Sequence, residues 1–291
     1  MKAIINIGIS GSGKSTSNTQ HPDYLVISKD IYRKNLVIHD PEINFWNTYD
    51  NFDKDVETKV INTMYRDISE AAKRGDNIIV DNTHLTSKKT FQLQAHLRHL
   101  GYDVELNNCN DSDNINDYLS HNLMRKDSVD SGVINDQYIL ACKNNLVPLE
   151  SNKILIVDID GTLANAAHRS IFDYKRAYTD TPILYVMNVV KHLFATGYVD
   201  YIQFLTGRES YSYDVSSDWL ETHGFDMNVH RLLSRATGDR RKDFIIKEEI
   251  YENCLKQNKI LGLFDDRPQV VEMWWDKSLP VFHVGDFRNQ F

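Results

Sequence analysis

The sequence is poor in cysteine and contains no long apolar run. Its 291 residues include only three cysteines, Cys109, Cys142 and Cys254, which lie far apart and form no metal-type pair. So few thiols, in an odd number, provide no disulfide framework and are typical of a reducing compartment. No stretch of about eighteen consecutive apolar residues is present, so no transmembrane helix is expected. The N-terminus lacks the zones of a signal peptide, and we therefore expect a cytoplasmic protein without a membrane partner.

The chain also lacks a net positive charge. Lysine and arginine total 33 against 41 aspartate and glutamate residues, which gives a formal net charge of −8. An acidic total argues against nonspecific coating of nucleic acid, although it is compatible with a local basic groove that admits one strand end. Hydrophobic residues make up 41% and charged residues 25%, which is the composition of a globular protein.

Apolar strand patterns alternate with helix patterns, and the alternation restarts midway along the chain. Residues 55–74 predict an amphipathic helix because Val56, Val60, Met64, Ile68 and Ala71 recur every three or four residues. The polar segment 107–117 predicts a loop. Strands are predicted at 2–7, 24–27, 77–80, 102–106, 154–157, 199–205 and 259–264. This order predicts two tandem three-layer α/β domains, 1–148 and 149–291, joined at the polar stretch 148–153.

The first motif is a phosphate-binding loop. Gly8 to Ser15 fit the pattern G-x-x-x-x-G-K-[ST] between a predicted strand and a predicted helix. Glycines allow successive backbone N–H groups to point into one concavity, and the helix directs its positive end to the phosphates. Lys14 is expected at the β and γ phosphates of a nucleoside triphosphate such as ATP, and Ser15 at Mg²⁺. The expected nucleotide-binding residues are Gly8, Ser10, Gly11, Ser12, Gly13, Lys14, Ser15 and Thr16. The alternative is a glycine-rich turn with a solvated lysine.

Four further positions are candidates for kinase chemistry. Asp30 follows the second predicted strand and could take the proton from an attacking hydroxyl. Arg33 would share a helical face with Asp30 and could hold an acceptor phosphate. The alternative is that Asp30 caps a helix and Arg33 is a surface charge. Asp81 ends a strand, where open α/β sheets place ligand groups. Arg125, beside Lys126, could belong to a lid that carries a cation to the transferring phosphoryl group.

The second motif is a pair of aspartates at the end of a buried strand. Residues 154–157 precede Asp158, Ile159, Asp160, Gly161 and Thr162. Strand side chains alternate between faces, so the two carboxylates point the same way. Asp158 could attack phosphorus while Asp160 handles the proton of the leaving group. The pattern D-x-D-G-T resembles the opening motif of the haloacid-dehalogenase-like phosphohydrolases.

That resemblance implies three further groups, which occur in the expected order. Thr206 ends a strand and could donate a hydrogen bond to the phosphoryl group. Lys242 could neutralise charge on an aspartyl-phosphate. Asp265 and Asp266 could complete a Mg²⁺ site with Asp158 and the carbonyl group of Asp160, because Mg²⁺ prefers oxygen ligands.

The two motifs, with the kinase first, resemble the polynucleotide kinase–phosphatases of T-even bacteriophages. The resemblance covers nearly the whole chain and is densest at residues 158–163, 207–210, 238–250 and 265–274. It implies a P-loop kinase fused to a haloacid-dehalogenase-like phosphatase that carries a small cap insert. It also implies that Lys14, Ser15, Asp30 and Arg33 phosphorylate 5′-OH ends. Asp30 would be the general base, and Arg33 would hold the 3′-phosphate of the acceptor nucleotide.

For the second half, the resemblance implies removal of 3′-phosphates through Asp158 and Asp160. Arg169, Arg208 and Lys242 would support this reaction, the two arginines by binding substrate. The implied partners are RNA or DNA ends, a ligase that seals them, and further copies of the chain in a homo-oligomer such as a tetramer. One departure lies in the lid motif R-N-x-x-R, where His121 replaces the first arginine and Arg125 matches the second.

Two other functions are compatible with these motifs. A kinase–phosphatase for a small metabolite would keep both sites and differ only in its acceptor pockets. A scaffold that binds nucleic-acid ends would have no need for an intact Lys14, Asp30, Asp158, Asp160 and Asp265. The run from Gln269 to Trp274 favours the polynucleotide enzyme, because it extends the resemblance beyond the phosphohydrolase motifs.

Overall fold

A computed structural model describes residues 1–39 and 54–285 of the chain. By the packing of their backbones these residues form two compact units, Met1–Asp111 and Ser112–Phe291. The division lies before the predicted domain boundary at 148/149, because residues 112–148 pack with the second unit. The boundary at 148/149 therefore stays a prediction about where the two functions separate.

The first unit is a parallel sheet with helices connecting its strands. Its elements are β1 (Lys2–Ile7), α1 (Lys14–Ser17), β2 (Leu25–Ile27), α2 (Lys29–His39), α3 (Lys54–Arg74), β3 (Ile78–Asp81), α4 (Ser87–His99) and β4 (Asp103–Asn108). The strand order is β2-β3-β1-β4. The apolar positions predicted for α3 are all buried, and β3 is buried along its whole length. The α/β prediction for this half is confirmed.

The predicted polar loop at 107–117 is too long. Asn107 and Asn108 continue β4, where they pair with Asn6 and Ile7 of β1. The next helix, α5, already begins at Ile115, with Asn114 as its N-cap. The error arises because β4 is an edge strand with polar side chains, and its pairing with β1 outweighs their loop preference.

The second unit holds a five-stranded parallel sheet. Its elements are α5 (Ile115–Leu123), α6 (Ser131–Lys143), β5 (Lys153–Val157), β6 (Ala164–Asn165), β7 (Thr181–Pro182), α7 (Leu184–Ala195), β8 (Tyr201–Glu209), α8 (Tyr213–Thr222), β9 (Arg231–Arg235), α9 (Asp243–Ile250), β10 (Lys259–Asp265), α10 (Pro268–Asp276) and β11 (Val281–His283). The strand order is β11-β10-β5-β8-β9. The carboxyl ends of β5, β8 and β10 therefore meet at one edge of the sheet.

A small insert follows β5, as the resemblance implies. β6 and β7 pair antiparallel, and a 3₁₀ helix, Tyr174–Thr179, lies between them. We call residues 164–182 the cap segment. The main hydrophobic core of this unit includes Val157, Ile159, Phe204 and Trp219.

The cysteines and the helices were examined for disulfides and for membrane spans. Cys109, Cys142 and Cys254 all fall within the described residues and are free thiols. Across residues 1–39 and 54–285, no helix is long and apolar enough to cross a membrane.

Candidate active sites

The phosphate-binding loop lies between β1 and α1 in the first unit. Gly13 adopts a left-handed conformation with φ of 80°, which a residue with a side chain rarely does. The loop is fastened at Ile9, whose N–H donates to Oδ1 of the buried Asn110 at 2.9 Å. Ser10 and Ser12 are buried in the loop, whereas Ser15 and Thr16 are exposed. Lys14 Nζ donates to the carbonyl oxygens of Gly8 and Ile9 at 2.9 and 2.7 Å. The cation thus lies over the concavity in which the phosphates are expected.

Asp81 lies beside Ser15, at the end of β3. The Asp81 carboxylate accepts hydrogen bonds from Asn18 Nδ2 at 2.7 Å and from Ser15 Oγ at 3.4 Å, both through Oδ2. Its other oxygen, Oδ1, is buried and accepts no hydrogen bond from any residue that the structure describes. A hydroxyl and a free carboxylate oxygen at a phosphate-binding loop are the donor set that holds Mg²⁺ in P-loop proteins. The geometry of Asp81 therefore fits a metal ligand, while a role of this residue in binding substrate stays a prediction.

Asp30 and Arg33 lie on one face of α2, as their spacing predicts. Arg33 Nη1 donates to Asp30 Oδ1 at 2.8 Å. The same guanidinium group contacts Glu57 Oε2 of α3 through Nη2 at 2.7 Å, and Lys29 Nζ contacts Glu57 Oε1 at 2.9 Å. Burial acts to raise the pKa of Glu57, yet the bonds from Lys29 and Arg33 hold it below its ordinary value. Glu57 is thus a charged anchor for both cations, and sequence reasoning missed it.

Arg125 lies in the second unit, in the turn that follows α5. Its guanidinium group forms an ion pair with Asp127 at 3.3 Å. The turn is held by Asn122, whose side-chain amide exchanges two hydrogen bonds with the backbone of Val129 at 2.8 and 3.1 Å. The role of Arg125 as a lid residue that contacts ATP stays a prediction.

In the second unit, Asp158 lies at the end of β5 among buried charges. Lys247 Nζ contacts Asp158 Oδ1 and Asp265 Oδ2 at 2.7 Å each, and Asp243 Oδ2 at 3.5 Å. Burial alone would lower the pKa of Lys247, but Asp158, Asp265 and Asp243 raise it well above its usual value. The lysine is therefore a permanent cation next to the predicted nucleophile.

The lysine that contacts Asp158 is Lys247 and not the predicted Lys242, whose role stays a prediction. Lys242 is the exposed N-cap residue of α9, and its Nζ lies 5.9 Å from the ring centre of Phe244. Lys247 is farther along the same helix, on the buried face that also carries Asp243, Ile246 and Ile250. That spacing of three and four residues was visible in the sequence and could have identified Lys247.

Asp160 is held by two arginines. Arg208 donates through Nε and Nη2 to the two carboxylate oxygens of Asp160 at 2.8 Å each. Arg169 Nη2 contacts Asp160 Oδ1 at 3.2 Å. Both arginines also contact the fully buried carboxylate of Asp180, at 2.6 and 2.8 Å, so that Asp180 fixes their orientation. Arg169 and Arg208 were predicted at this site as substrate-binding residues, a role that stays a prediction. Asp180, at the end of the cap segment, belongs to no motif and was missed.

Three aspartates form a candidate metal site. Asp158, Asp265 and Asp266 each offer a carboxylate oxygen, and these oxygens lie within 4.8 Å of one another. Burial and the neighbouring Asp265 raise the pKa of Asp266 to about 6, against an opposing influence of Lys247. Gly161 is required in this place, because a Cβ atom there would lie 2.1 Å from Asp266 Oδ2. Oxygen ligands of this kind fit Mg²⁺.

Thr206 completes the sheet edge. It is buried within β8, which does not end here as predicted but continues to Glu209 after a shift in register with β9. Its Oγ1 accepts the N–H of Arg208 at 3.2 Å. The structure therefore brings together most of the residues predicted for this site: Asp158, Asp160, Thr206, Arg169, Arg208, Asp265 and Asp266. Lys247 takes the place beside Asp158 that was predicted for Lys242.

The fold and these two groups of side chains define a tandem protein, in which a P-loop domain precedes a haloacid-dehalogenase-like phosphatase domain. Comparison with known families gives a match for each half. Residues 4–116 match the family described as AAA domain, and residues 152–287 match the polynucleotide kinase PNKP phosphatase domain. The first half of the chain is thus similar to AAA-type P-loop domains, and the second half is similar to the phosphatase domain of PNKP.

A curated relative is similar along nearly the whole chain. A protein of Autographa californica nuclear polyhedrosis virus, named as a bifunctional polynucleotide kinase/RNA ligase, is 29% identical over 302 residues. The match covers 97% of this chain but only 42% of the viral protein, so the chain spans less than half of that relative's length. The resemblance to bacteriophage enzymes stays a prediction.

Two solved structures overlap with the chain. The first is titled a structure of the Pnkp1/Rnl/Hen1 RNA repair complex; its matching chain is 22% identical, and the match covers 98% of this chain and 97% of that one with a TM-score of 0.42. The second is titled a structure of the Pnkp1/Rnl/Hen1 complex, with 23% identity, the same coverage and a TM-score of 0.43.

Proposed function

We propose that this protein is a bifunctional enzyme that repairs nucleic-acid ends. One site transfers the γ-phosphate of ATP to a 5′-OH end, and the other removes a 3′-phosphate. The observation that carries the proposal is that the phosphate-site residues Asp158, Asp160, Arg208 and Lys247 converge in the segment that matches the PNKP phosphatase domain. The phosphate-binding loop supplies the second activity on the same chain.

In the kinase reaction, Lys14 would stabilise negative charge on the β and γ phosphates. Asp30 would accept the proton of the 5′-hydroxyl as its oxygen attacks the γ-phosphorus and the bond to ADP breaks. Arg33, oriented by Glu57, would hold the 3′-phosphate of the acceptor nucleotide. Arg125 would contact ATP from the lid. Mg²⁺, held by Ser15 and Asp81, would neutralise charge on the phosphates.

In the phosphatase reaction, Asp158 would attack phosphorus, and the bond between phosphorus and the 3′-oxygen would break. Asp160 would give its proton to that oxygen and later take one from the water that releases phosphate from Asp158. The two arginines hold Asp160 in place for this exchange. Lys247 would stabilise charge on the transferred phosphoryl group. Mg²⁺ on Asp158, Asp265 and Asp266 would further neutralise its oxygens.

The polynucleotide substrate is proposed from the relatives. The PNKP match concerns the phosphatase half, and the viral relative is named for a polynucleotide kinase and an RNA ligase. These names support RNA ends as the substrate, with DNA ends as the alternative, and a ligase as the enzyme that acts next. A cytoplasmic location and a homo-oligomer also belong to the proposal.

A single incubation tests this function. The protein is mixed with Mg²⁺, labelled ATP and a short oligonucleotide that bears a 5′-OH and a 3′-phosphate, as RNA and as DNA. We expect label at the 5′ end together with loss of the 3′-phosphate. If neither end changes while sugar or nucleoside phosphates are turned over, the protein is a metabolite kinase–phosphatase. If no phosphoryl group is transferred at all, it is an end-binding scaffold.

A further inference from the structure

Two exposed aromatic side chains are carried by segments that also contribute residues to the phosphatase site. Phe172 is 72% exposed and Tyr211 is 43% exposed. Phe172 belongs to the cap segment, and Tyr211 follows the Arg208-bearing end of β8. Neither ring takes part in the chemistry proposed above.

The position of Phe172 is fixed by an active-site arginine. Arg169 Nη1 donates to the carbonyl oxygens of Ser170, Ile171 and Asp173 at 3.0, 3.5 and 3.4 Å. The loop that carries Phe172 is thus wrapped around the same guanidinium group that contacts Asp160. The ring is exposed, while the carbonyl groups on either side of it are held by Arg169.

Tyr211 is held next to this loop. Its ring centre lies 6.2 Å from that of the buried Tyr174, which immediately follows Asp173. Its backbone N–H donates to Thr237 Oγ1 at 3.0 Å, and the neighbouring Ser210 donates to Asp136 of α6 at 3.1 Å. After burial, Asp160 is the next influence that raises the pKa of Tyr174, in keeping with its place beside the catalytic carboxylates. Tyr174 therefore links Tyr211 to the active site.

Exposed cations lie near Phe172 in the cap segment, and the carboxylates of Asp173 and Glu209 lie near Tyr211. Lys175 and Arg176 are exposed on the 3₁₀ helix of the cap segment, between Phe172 and the exposed Tyr178. Aromatic rings interleaved with cations are the surface that binds single-stranded nucleic acid, because rings stack on bases and cations pair with the phosphodiester backbone. A small phosphorylated metabolite would leave such a surface unused.

We propose that Tyr211 and Phe172 stack on the terminal bases of a single-stranded, 3′-phosphorylated polynucleotide and so present its phosphate to Asp158. The inference rests on the proposed phosphatase function and adds that this site selects ends that carry bases and are single-stranded. Stacking on an aromatic side chain changes affinity by about fivefold to a hundredfold per base, so the effect is measurable.

The test compares two oligonucleotides with 3′-phosphates, one with a normal terminal nucleotide and one with an abasic terminal residue. We expect kcat/KM for the normal end to be about tenfold higher, in line with one stacked base. Tyr211→Ala and Phe172→Ala should reduce this preference mainly through KM, while Tyr211→Phe keeps it. Hydrolysis of p-nitrophenyl phosphate should fall far less than hydrolysis of the oligonucleotide.

Tyr198→Ala is the matched control. Tyr198 is 74% exposed, but it precedes the amino end of β8, the end of the sheet opposite the active site, and should leave both activities unchanged. The inference is overturned if the alanine variants keep the preference for a terminal base. It is also overturned if their kcat/KM falls by the same factor for the oligonucleotide and for p-nitrophenyl phosphate. If the wild-type protein hydrolyses p-nitrophenyl phosphate but no oligonucleotide 3′-phosphate, the proposed function fails and this inference fails with it.

Discussion

At the scale of single residues, the phosphatase site is organised by one buried cation. Lys247 is 1% exposed and contacts two carboxylates at 2.7 Å each. Without it, the carboxylates of Asp158 and Asp265 would repel each other and the incoming phosphate. The buried lysine stays charged because the surrounding carboxylates raise its pKa by more than burial lowers it.

This arrangement predicts the effect of removing Lys247. Lys247→Met, which keeps most of the side-chain volume, should lower phosphatase kcat by at least about a hundredfold, as for the loss of one oxyanion-stabilising group. Lys242→Ala, on the same helix, should change it by no more than about twofold. Phosphatase assays on both variants, with circular dichroism as a check of folding, measure this difference. Equal losses would restore Lys242 as the active lysine.

The buried His230 should make the stability of the second unit depend on pH. His230 is buried among Phe194, Phe204 and Phe225, and its Nδ1 accepts the N–H of Ile202 at 3.3 Å. Burial lowers the pKa of His230 to about 4, against an opposing influence of Asp226. Between its ordinary value of 6.5 and 4, the unfolded chain therefore binds more protons than the folded one.

The free energy of unfolding of the second unit should thus decrease as pH falls from 6.5 towards 4. His230→Asn keeps an acceptor for Ile202 and removes the titrating ring. Denaturant unfolding at pH 7 and pH 5 should show a larger loss of stability in the wild-type protein than in this variant. The same loss in both would exclude His230 as the group responsible.

At the scale of elements, an ion cluster joins two helices of the first unit. Glu57 of α3 contacts Lys29 and Arg33 of α2, and Arg33 in turn contacts Asp30. Arg33 donates to Glu57 Oε2 through both Nε and Nη2, and charge-assisted contacts of this kind restrict the orientation of an arginine. The predicted base and the predicted acceptor-binding arginine are therefore positioned by a helix that carries no sequence motif.

Glu57→Gln should disturb the kinase without touching its nucleotide loop. We expect KM for the oligonucleotide acceptor to rise by about tenfold, since the orientation of Arg33 is lost. KM for ATP should stay the same. Glu70→Gln is the control, because Glu70 lies on the same helix and pairs with Lys73 at the surface. A Glu57→Gln enzyme with normal acceptor KM would show that Glu57 has no role in positioning.

The elements also show what the sequence could and could not predict. Both motifs are contiguous, so the loop at Gly8–Ser15 and the aspartates after β5 were predictable from local patterns. Glu57, Asp180 and Lys247 reach their sites through helix packing or through the cap segment, and no short pattern marks such contacts. The length of β4 was missed because pairing with β1 outweighs local composition.

At the scale of the whole molecule, α5 and α6 pack with the phosphatase sheet. Asn135 of α6 is fully buried and exchanges two hydrogen bonds of 3.0 Å with the backbone of Ser234. Asn116 of α5 donates to the carbonyl oxygens of Met227 and His230 at 2.8 and 2.9 Å. Removing these helices would leave buried backbone groups without partners.

Fragments of the chain test this organisation. Residues 112–291 should fold and retain phosphatase activity, whereas residues 149–291 should unfold at lower temperature or aggregate. Thermal unfolding and phosphatase assays of the two fragments provide the comparison. Equal stability of the shorter fragment would place the structural boundary at 148/149 after all.

The central claim is that one chain holds two separate phosphoryl-transfer sites for the two ends of a polynucleotide. Its most direct test uses an oligonucleotide with a 5′-OH and a 3′-phosphate, together with Lys14→Ala and Asp158→Asn. Lys14→Ala should lose 5′ labelling and keep 3′-phosphate removal, while Asp158→Asn should show the reverse and form no aspartyl-phosphate. A mixture of the two variants should process both ends. Loss of both activities in either folded variant would contradict the claim.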